Sequence, residues 1–430
     1  MTLRDKKQAE VIQLYKDKNP HRCTLVLSTG FGKGKVAIDL IKWLNPPNVI
    51  ILVNSDDLRD TMWRNEFTEW GMPEYYQNKV TMVNYQTAYK WTETTNAQHW
   101  YSDTLVIADE VDFAGGTEKF SRFFHAFPTH RTIGLTGFIT KTKQPWFDEF
   151  LPVLVKYDAD DAQGDGVLNK MNFVFIKYDL SRDPKDIKIT YKKGGVEKSF
   201  TNSQCNAYDY NEKKFDKFKT QKEQLNIASL SGTMNASNYQ KQIKHIDFQE
   251  KMAVKARSEI LLHNKASVVI VRNLLNFILS DEDNKVVVFS KRTEQSTAIV
   301  GDDYVYHGGI SKTKAAENYL KFMSGSSRLL GVCDKINRGV NIPNLNVGIF
   351  ESFYGSDTKA TQRFGRLMRL EADKTATIYM LLPYYMRKER DGTYTCQETA
   401  QVEWARNMIR STNIRPDDTQ VWDYRTVKEN

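Results

Sequence analysis

LVLSTGFGKGKVAIDLI (Leu25–Ile41) reads as an apolar strand, a glycine-rich turn and a helix with apolar residues at helical spacing. That succession is the layout of a phosphate-binding loop. Gly30 and Gly32 let backbone N–H groups turn toward a polyphosphate, and Lys33 is placed to reach its β- and γ-phosphates. Thr29, Phe31, Gly34 and Lys35 complete the candidate loop. One feature departs from the pattern: such loops end Lys-[Ser/Thr], with the hydroxyl on Mg2+, and here Gly34 follows Lys33. Starting the count from Lys35 does not help, because Val36 comes next. The expectation is an Mg2+ held with one protein ligand fewer, a water in its place, or less tightly.

Outward from the loop, short apolar runs alternate with helical stretches. TLVLS (24–28), NVIILVN (48–54), KVTMVNY (79–85), TLVIADE (104–110) and RTIGLTG (131–137) have the near-continuous apolar character of strands covered on both faces. A second set follows: KVVVFSK (285–291), DYVYHG (303–308), RLLGVC (328–333), NVGIFES (346–352) and TATIYMLLP (375–383). The fold class is therefore α/β, with two parallel-sheet halves of similar design. FVFIKYDL (173–180) reads as the first strand of the second half.

Between the halves, IKITYKKGGVEKSFT (187–201) alternates on either side of Gly194-Gly195 and predicts a hairpin. Residues 182–265 hold 17 Lys and Arg against 10 Asp and Glu. Tyr191, Phe200, Tyr208, Tyr210, Phe215 and Phe218 are interleaved there. Two readings stand: a basic face with stacking residues for nucleic acid, or a solvated Lys-rich insertion.

Asp109-Glu110-Val111-Asp112 closes the strand TLVIA. Carboxylates at the C-terminal end of a parallel strand sit where such sheets bind ligands, and an acidic pair there can hold Mg2+ and polarise a water.

With these pieces in order, the chain resembles a superfamily 2 helicase or translocase, a protein of two tandem RecA-like domains. STGFGKGK resembles motif I, DEVD motif II, ILVNSDDLRDTMWRNEFTEWG (51–71) motif Ia with its following helix, and VTMVNYQTAY (80–89) a nucleic-acid-facing motif. GLTGF (134–138) resembles motif III, with Phe138 in place of its last hydroxyl. KVVVFSK resembles motif IV, VCDKINRGVNIP (332–343) motif V, and TQRFGRLMRL (361–370) the Q-R-x-G-R-x-x-R of motif VI. The division expected is a first RecA-like domain over 1–160, a linker with the basic hairpin and helical insertion over 161–265, a second RecA-like domain over 266–385, and an extension over 386–430 carrying a helix packed on the second domain.

The resemblance implies ATP and Mg2+ as cofactors. It gives Lys33 the phosphates, Asp109 the Mg2+, Glu110 the role of base toward water, Gln362 that of γ-phosphate sensor, and Arg366 and Arg369 those of arginine fingers. Thr136 and Asp112 would couple the nucleotide site to the domain interface, and Gly339 and Asn341 would face nucleotide or strand. LRDKKQAEVI (3–12) is similar to the family's L-R-x-x-Q pattern with Gln8 displaced by one residue, so Arg4 and Gln8 are candidates for base contacts. Asn54, Tyr85, Gln86, Lys291 and Arg338 would meet nucleic acid. His307 in YHGG is read as structural, and the hairpin as a decoration, with a strand-separating pin as the alternative.

Within this family the motif forms resemble phage DNA helicases, near restriction-enzyme translocases and branched-DNA remodellers. The implied partner is DNA, single-stranded, forked or branched, with RNA as the runner-up. The remaining alternatives are a weakened ATPase acting as an ATP-gated DNA-binding module, or a subunit of a larger restriction or packaging machine. Composition agrees: 61 Lys and Arg against 53 Asp and Glu leave +8, a bias toward an anionic partner. Cys23, Cys205, Cys333 and Cys396 are scattered without a CxxC pair, which argues against a disulfide framework or zinc. The charged start MTLRDKKQAE has no apolar signal core, and the run 268–279 is too short to span a bilayer. The expectation is a cytoplasmic protein without a membrane partner (in the host cytoplasm if phage-encoded), plausible as a monomer.

Overall fold

The computed structural model describes residues 2–54, 62–92, 103–115, 117–127, 130–193, 196–333, 342–352, 367, 374–389, 391–412, 414 and 416–426. Its first sheet comprises β1 (Arg22–Leu27), β2 (Asn48–Val53), β3 (Val80–Asn84), β4 (Thr104–Asp109), β5 (Arg131–Thr136) and β6 (Val153–Tyr157). They lie in the order β3-β2-β4-β5-β1-β6, every neighbouring pair parallel. β4 is buried along its whole length and β1 and β2 along all but the first residue, as continuous apolar runs require.

The second sheet takes β7 (Lys170–Asp179), then, beyond the hairpin strands β8 (Ile187–Lys193) and β9 (Val196–Asn202), β10 (Val286–Ser290), β11 (Val305–Tyr306), β12 (Leu329–Cys333), β13 (Val347–Phe350), β14 (Thr375–Lys388), β15 (Tyr394–Glu398) and β16 (Asp418–Asp423). The order is β11-β12-β10-β13-β14-β7-β16, parallel throughout, with β15 antiparallel on β14. These are two RecA-like α/β sheets in tandem. β7 pairs with β14 from Lys170 to Asp179, so the strand before the hairpin belongs to the second sheet. The C-terminal stretch holds the helix Ala400–Thr412, and also adds β15 and the edge strand β16. β14 itself runs to Lys388, past the expected boundary at 385.

β8 and β9 pair as an antiparallel hairpin, from Ile187 opposite Asn202 to Lys193 opposite Val196. Two helices follow, Gln204–Leu230 and Ala236–Leu262, packed on one another. Each has 27 residues and is therefore about 40 Å long. Many of their charges are paired internally: Arg257 with Glu212 at 2.6 Å, and Lys222 with Asp247 at 2.7 Å and Glu250 at 3.1 Å. Two of the interleaved aromatic residues are engaged within the protein. Tyr208 is fully buried against Tyr385, and Phe215 lies under the Arg257 guanidinium at 4.1 Å.

Helix α1 (Leu3–Lys18) opens with a Thr2–Asp5 capping box and turns Gln8, Val11 and Tyr15 inward. Lys7 reaches Asp165 at 3.1 Å, tying α1 to the segment that enters the second sheet. No helix among the described residues is long and apolar enough to cross a membrane.

Candidate active site

Because β1, β5 and β4 are adjacent and parallel, their C-terminal ends open on one edge. Register sets the level: Val26 lies opposite Thr136, and Leu135 opposite Asp109. The glycine loop, the GLTGF turn and the acidic pair therefore converge, although more than a hundred residues separate the first from the second.

The loop is built as the phosphate reading requires. Gly30 and Gly32 have φ of 92° and 93°, the left-handed region that an L side chain avoids. Gly32 caps helix α2 (Lys33–Leu44), so the loop delivers its amides to a helix N-terminus. Lys33 bends back over the strand end, with Nζ 3.5 Å from the Leu27 carbonyl. Gly137 leaves room for it: a Cβ there would lie 3.7 Å from that ammonium and 3.4 Å from Thr29 Oγ1. Phe31 contributes backbone only, since its ring is fully buried edge-on to Tyr157.

Gln8 is 2% exposed and donates Nε2 to the Phe31 carbonyl at 2.6 Å, which leaves its buried Oε1 without a partner. An orphaned acceptor pressed against the loop suits an amino group of a base. Arg4 does not join it. Its guanidinium donates to the Val167 carbonyl at 3.3 Å and braces the linker. The Lys35 ammonium is held by Asp39 at 3.0 Å, one turn along α2, and lies over the Trp70 ring.

Asp109 is buried at the end of β4. It accepts from the Trp63 indole N–H (Oδ2, 3.1 Å) and from the Glu110 amide (Oδ1, 3.0 Å). Burial first, then the Glu110 charge, push its carboxyl up to about 7, against the pull of Lys33 and the indole. Glu110 itself has φ of +48°, a strained backbone for a residue with a side chain. Asp112 is also buried, pushed up to about 6 by burial and Glu110, and is held by Thr136 Oγ1 at 3.0 Å and by Lys143. Buried carboxylates that resist ionising gain from a cation, so the donor set fits Mg2+ shared with phosphate oxygens. Among the described residues no three His, Cys, Asp or Glu side chains converge as a metal cage.

Tyr85 lies inside the first domain. Its side chain is 1% exposed, its ring packs with that of Phe113, and its hydroxyl donates to the Asp109 carbonyl at 3.0 Å, so it supports the acidic strand end from below. Gln86 next to it is exposed, and Asn54 ends β2 with Oδ1 buried and unpartnered. On the second sheet, the Lys291 amide donates to Ser352 Oγ at 3.0 Å. Ser352 in turn donates to Glu351, which also accepts from Ser267 at 2.5 Å and Gln295 at 3.2 Å. This buried network was not anticipated; a carboxylate ending an apolar strand, Glu351 after NVGIF, was its only signal. His307 is structural as expected, with Nε2 2.9 Å from Thr297 Oγ1 and Nδ1 accepting from the Gly309 amide. Gly194, Gly195, Arg338, Gly339, Asn341, Gln362, Arg366 and Arg369 lie outside the described residues.

The family described as type III restriction enzyme, res subunit, matches residues 1–141, and the helicase conserved C-terminal domain matches residues 268–371. Between them the two matches take in the glycine loop, the acidic pair and the motif V and VI segments, in order. The chain belongs to the superfamily 2 helicases and translocases. A relative named DNA 3'-5' translocase XPB2, from Sulfurisphaera tokodaii, is 24% identical over 389 residues, covering 86% of this chain and 79% of its own. Two solved structures share the fold. Dbp5 of S. cerevisiae, bound to RNA and ADP BeF3, aligns with a TM-score of 0.54 at 10% identity, over 97% of this chain and 89% of that one. The ATP-dependent type ISP restriction-modification enzyme LlaBIII, bound to DNA, aligns with a TM-score of 0.56 at 13% identity, over 97% of this chain and 31% of that one.

Proposed function

We propose that the chain is an ATP-driven DNA translocase that unwinds or remodels forked or branched DNA. The observation that carries this reading is the convergence of Lys33, Asp109, Glu110 and the Thr136–Asp112 pair on one sheet edge, in a chain whose translocase relative covers 86% of it. Lys33 and the loop amides hold the phosphates, while Gln8 offers its free Oε1 to the base. Asp109 would hold Mg2+, whose charge would partly neutralise the polyphosphate. Glu110 takes a proton from the attacking water. The resemblance gives Gln362 the role of γ-phosphate sensor and Arg366 and Arg369 that of arginine fingers, cations suited to the charge that spreads over the transferred phosphoryl. Thr136 and Asp112 transmit the state of the nucleotide to the rest of the domain.

The test is ATP hydrolysis with and without single-stranded, forked and duplex DNA and an RNA duplex, beside Lys33→Ala and Glu110→Gln controls. The reading predicts stimulation by DNA that either substitution abolishes. Greater stimulation by RNA would reassign the substrate, and binding of ATP without turnover on any nucleic acid would leave a nucleotide-gated binding module.

A further inference from the structure

Gly34 is the second residue of α2, where loops of this kind carry the hydroxyl that reaches Mg2+. A Cβ built on Gly34 would lie 2.9 Å from Cδ and Oε2 of Glu66 and 3.2 Å from Oε1. A carboxylate from another helix stands in the volume where a side chain at position 34 would grow. Glu66 comes from α3 (Trp63–Glu69), the helix that follows the segment after β2.

We propose that Glu66 supplies the oxygen ligand for nucleotide-bound Mg2+ that the loop itself lacks, so that Gly34 and Glu66 together replace the usual loop hydroxyl. This rests on the nucleotide-binding reading above. A second observation aims α3 at the metal. Trp63, one turn before Glu66 and on the same helix face, is fully buried and donates to Asp109 Oδ2 at 3.1 Å. One short helix is thus registered at once on the carboxylate assigned to the metal and on the loop position that carries no side chain. The Trp70 indole donates to Glu66 Oε2 at 3.1 Å and fixes the carboxylate's orientation, as outer-shell donors do for metal ligands. The chemistry agrees: Mg2+ takes hard oxygen ligands and is commonly held by one or two carboxylates completed by phosphate and water, with no dedicated protein cage.

A carboxylate differs from a hydroxyl in its charge, and that difference gives the proposal a signature. Without a divalent ion, Glu66 repels the polyphosphate; with one, it attracts the complex. Glu66→Gln keeps the length and an acceptor for Trp70 but removes the charge.

The experiment uses the full chain with a non-hydrolysable ATP analogue. Mn2+ binding is followed by electron paramagnetic resonance, and analogue binding by fluorescence with and without divalent ion. Glu66→Gln is expected to weaken Mn2+ binding in the nucleotide complex by about tenfold or more while tightening metal-free nucleotide binding. The double variant Gly34→Ser/Glu66→Ala, which restores a loop hydroxyl in the cleared space, is expected to recover most of the Mn2+ affinity that Glu66→Ala alone loses. Unchanged Mn2+ and metal-free affinities in Glu66→Gln, with nucleotide still bound, would reduce Glu66 to a packing residue and overturn the proposal alone. A wild-type chain that binds no nucleotide under either condition would overturn the nucleotide reading, and the proposal with it.

Discussion

The Thr136 hydroxyl lies 3.0 Å from Asp112 Oδ1, joining the end of β5 to the acidic turn after β4 with both side chains buried. The same hydroxyl is 3.0 Å from the Phe138 carbonyl, so its single proton has two acceptors to choose between. A residue that can switch partners is placed to report a change at the nucleotide. Thr136→Val keeps the shape and removes the donor, which leaves a buried carboxylate short of one hydrogen bond. The expected cost is about 1–3 kcal/mol in a denaturant melt. ATP affinity should change little, while stimulation of hydrolysis by DNA falls; equal stimulation in the variant would remove Thr136 from the coupling.

Asp109 makes stability depend on pH. Its carboxyl ionises at about 7 in the fold against 3.8 for an unperturbed aspartate, so between those values the folded chain binds more protons than the unfolded one. Stability in metal-free buffer therefore falls as pH rises through this window, and the penalty is complete above it. Asp109→Asn should raise the melting temperature at pH 8, with a gain that shrinks toward pH 4. Thermal melts of both proteins across that range check it, and a gain that grew on acidification would contradict the sign.

Gly32 tests the loop. With φ of 93° and a Cβ position 2.4 Å from Gln8 Nε2, Gly32→Ala meets both backbone strain and a clash. The strain alone is about 1–2 kcal/mol. Adding Gln8→Ala removes the clash but not the strain, so the double variant should recover part of the stability and none of the nucleotide affinity. Calorimetric titration with ATP and a melt separate the two effects.

Glu351 is a prediction for the second sheet. Glu351→Ala would remove the acceptor of the Ser352 hydroxyl and one of the two acceptors of Ser267 and Gln295, both of which also donate to the Asn264 carbonyl, destabilising the fold by about 1–3 kcal/mol. Ser352, which accepts from the Lys291 amide, would lose the carboxylate that orients it, so DNA affinity should fall further than in a variant of equal stability mutated elsewhere. Matched DNA-binding titrations decide this.

The two sheets were legible because their strands are continuous apolar runs, and the loop because its glycines and lysine are contiguous. What escaped was set by contacts distant in sequence or by weak patterns. β6 is half-buried and β16 mostly exposed at an edge, so neither VLVKY nor DTQVWD shows a buried run. Tyr85 reads as a surface residue of a nucleic-acid motif, yet its hydroxyl finds a carbonyl 24 residues away in Asp109. Gln8, one residue off the family spacing, still reaches the loop because α1 turns it inward beside Val11 and Tyr15. Gly34 was visible as a departure, but its partner Glu66 lies 32 residues on and on another helix, and only packing brings them together.

We propose that turnover at the glycine loop moves the chain along DNA. The most direct measurement displaces a labelled third strand from a triplex and, in parallel, a labelled strand from a forked duplex, each with ATP, with a non-hydrolysable analogue and with the Glu110→Gln protein. The wild-type chain with ATP should displace at least one labelled strand, and neither the analogue nor the variant should displace any. ATP hydrolysis without displacement of either strand, or displacement that survives Glu110→Gln, would contradict it.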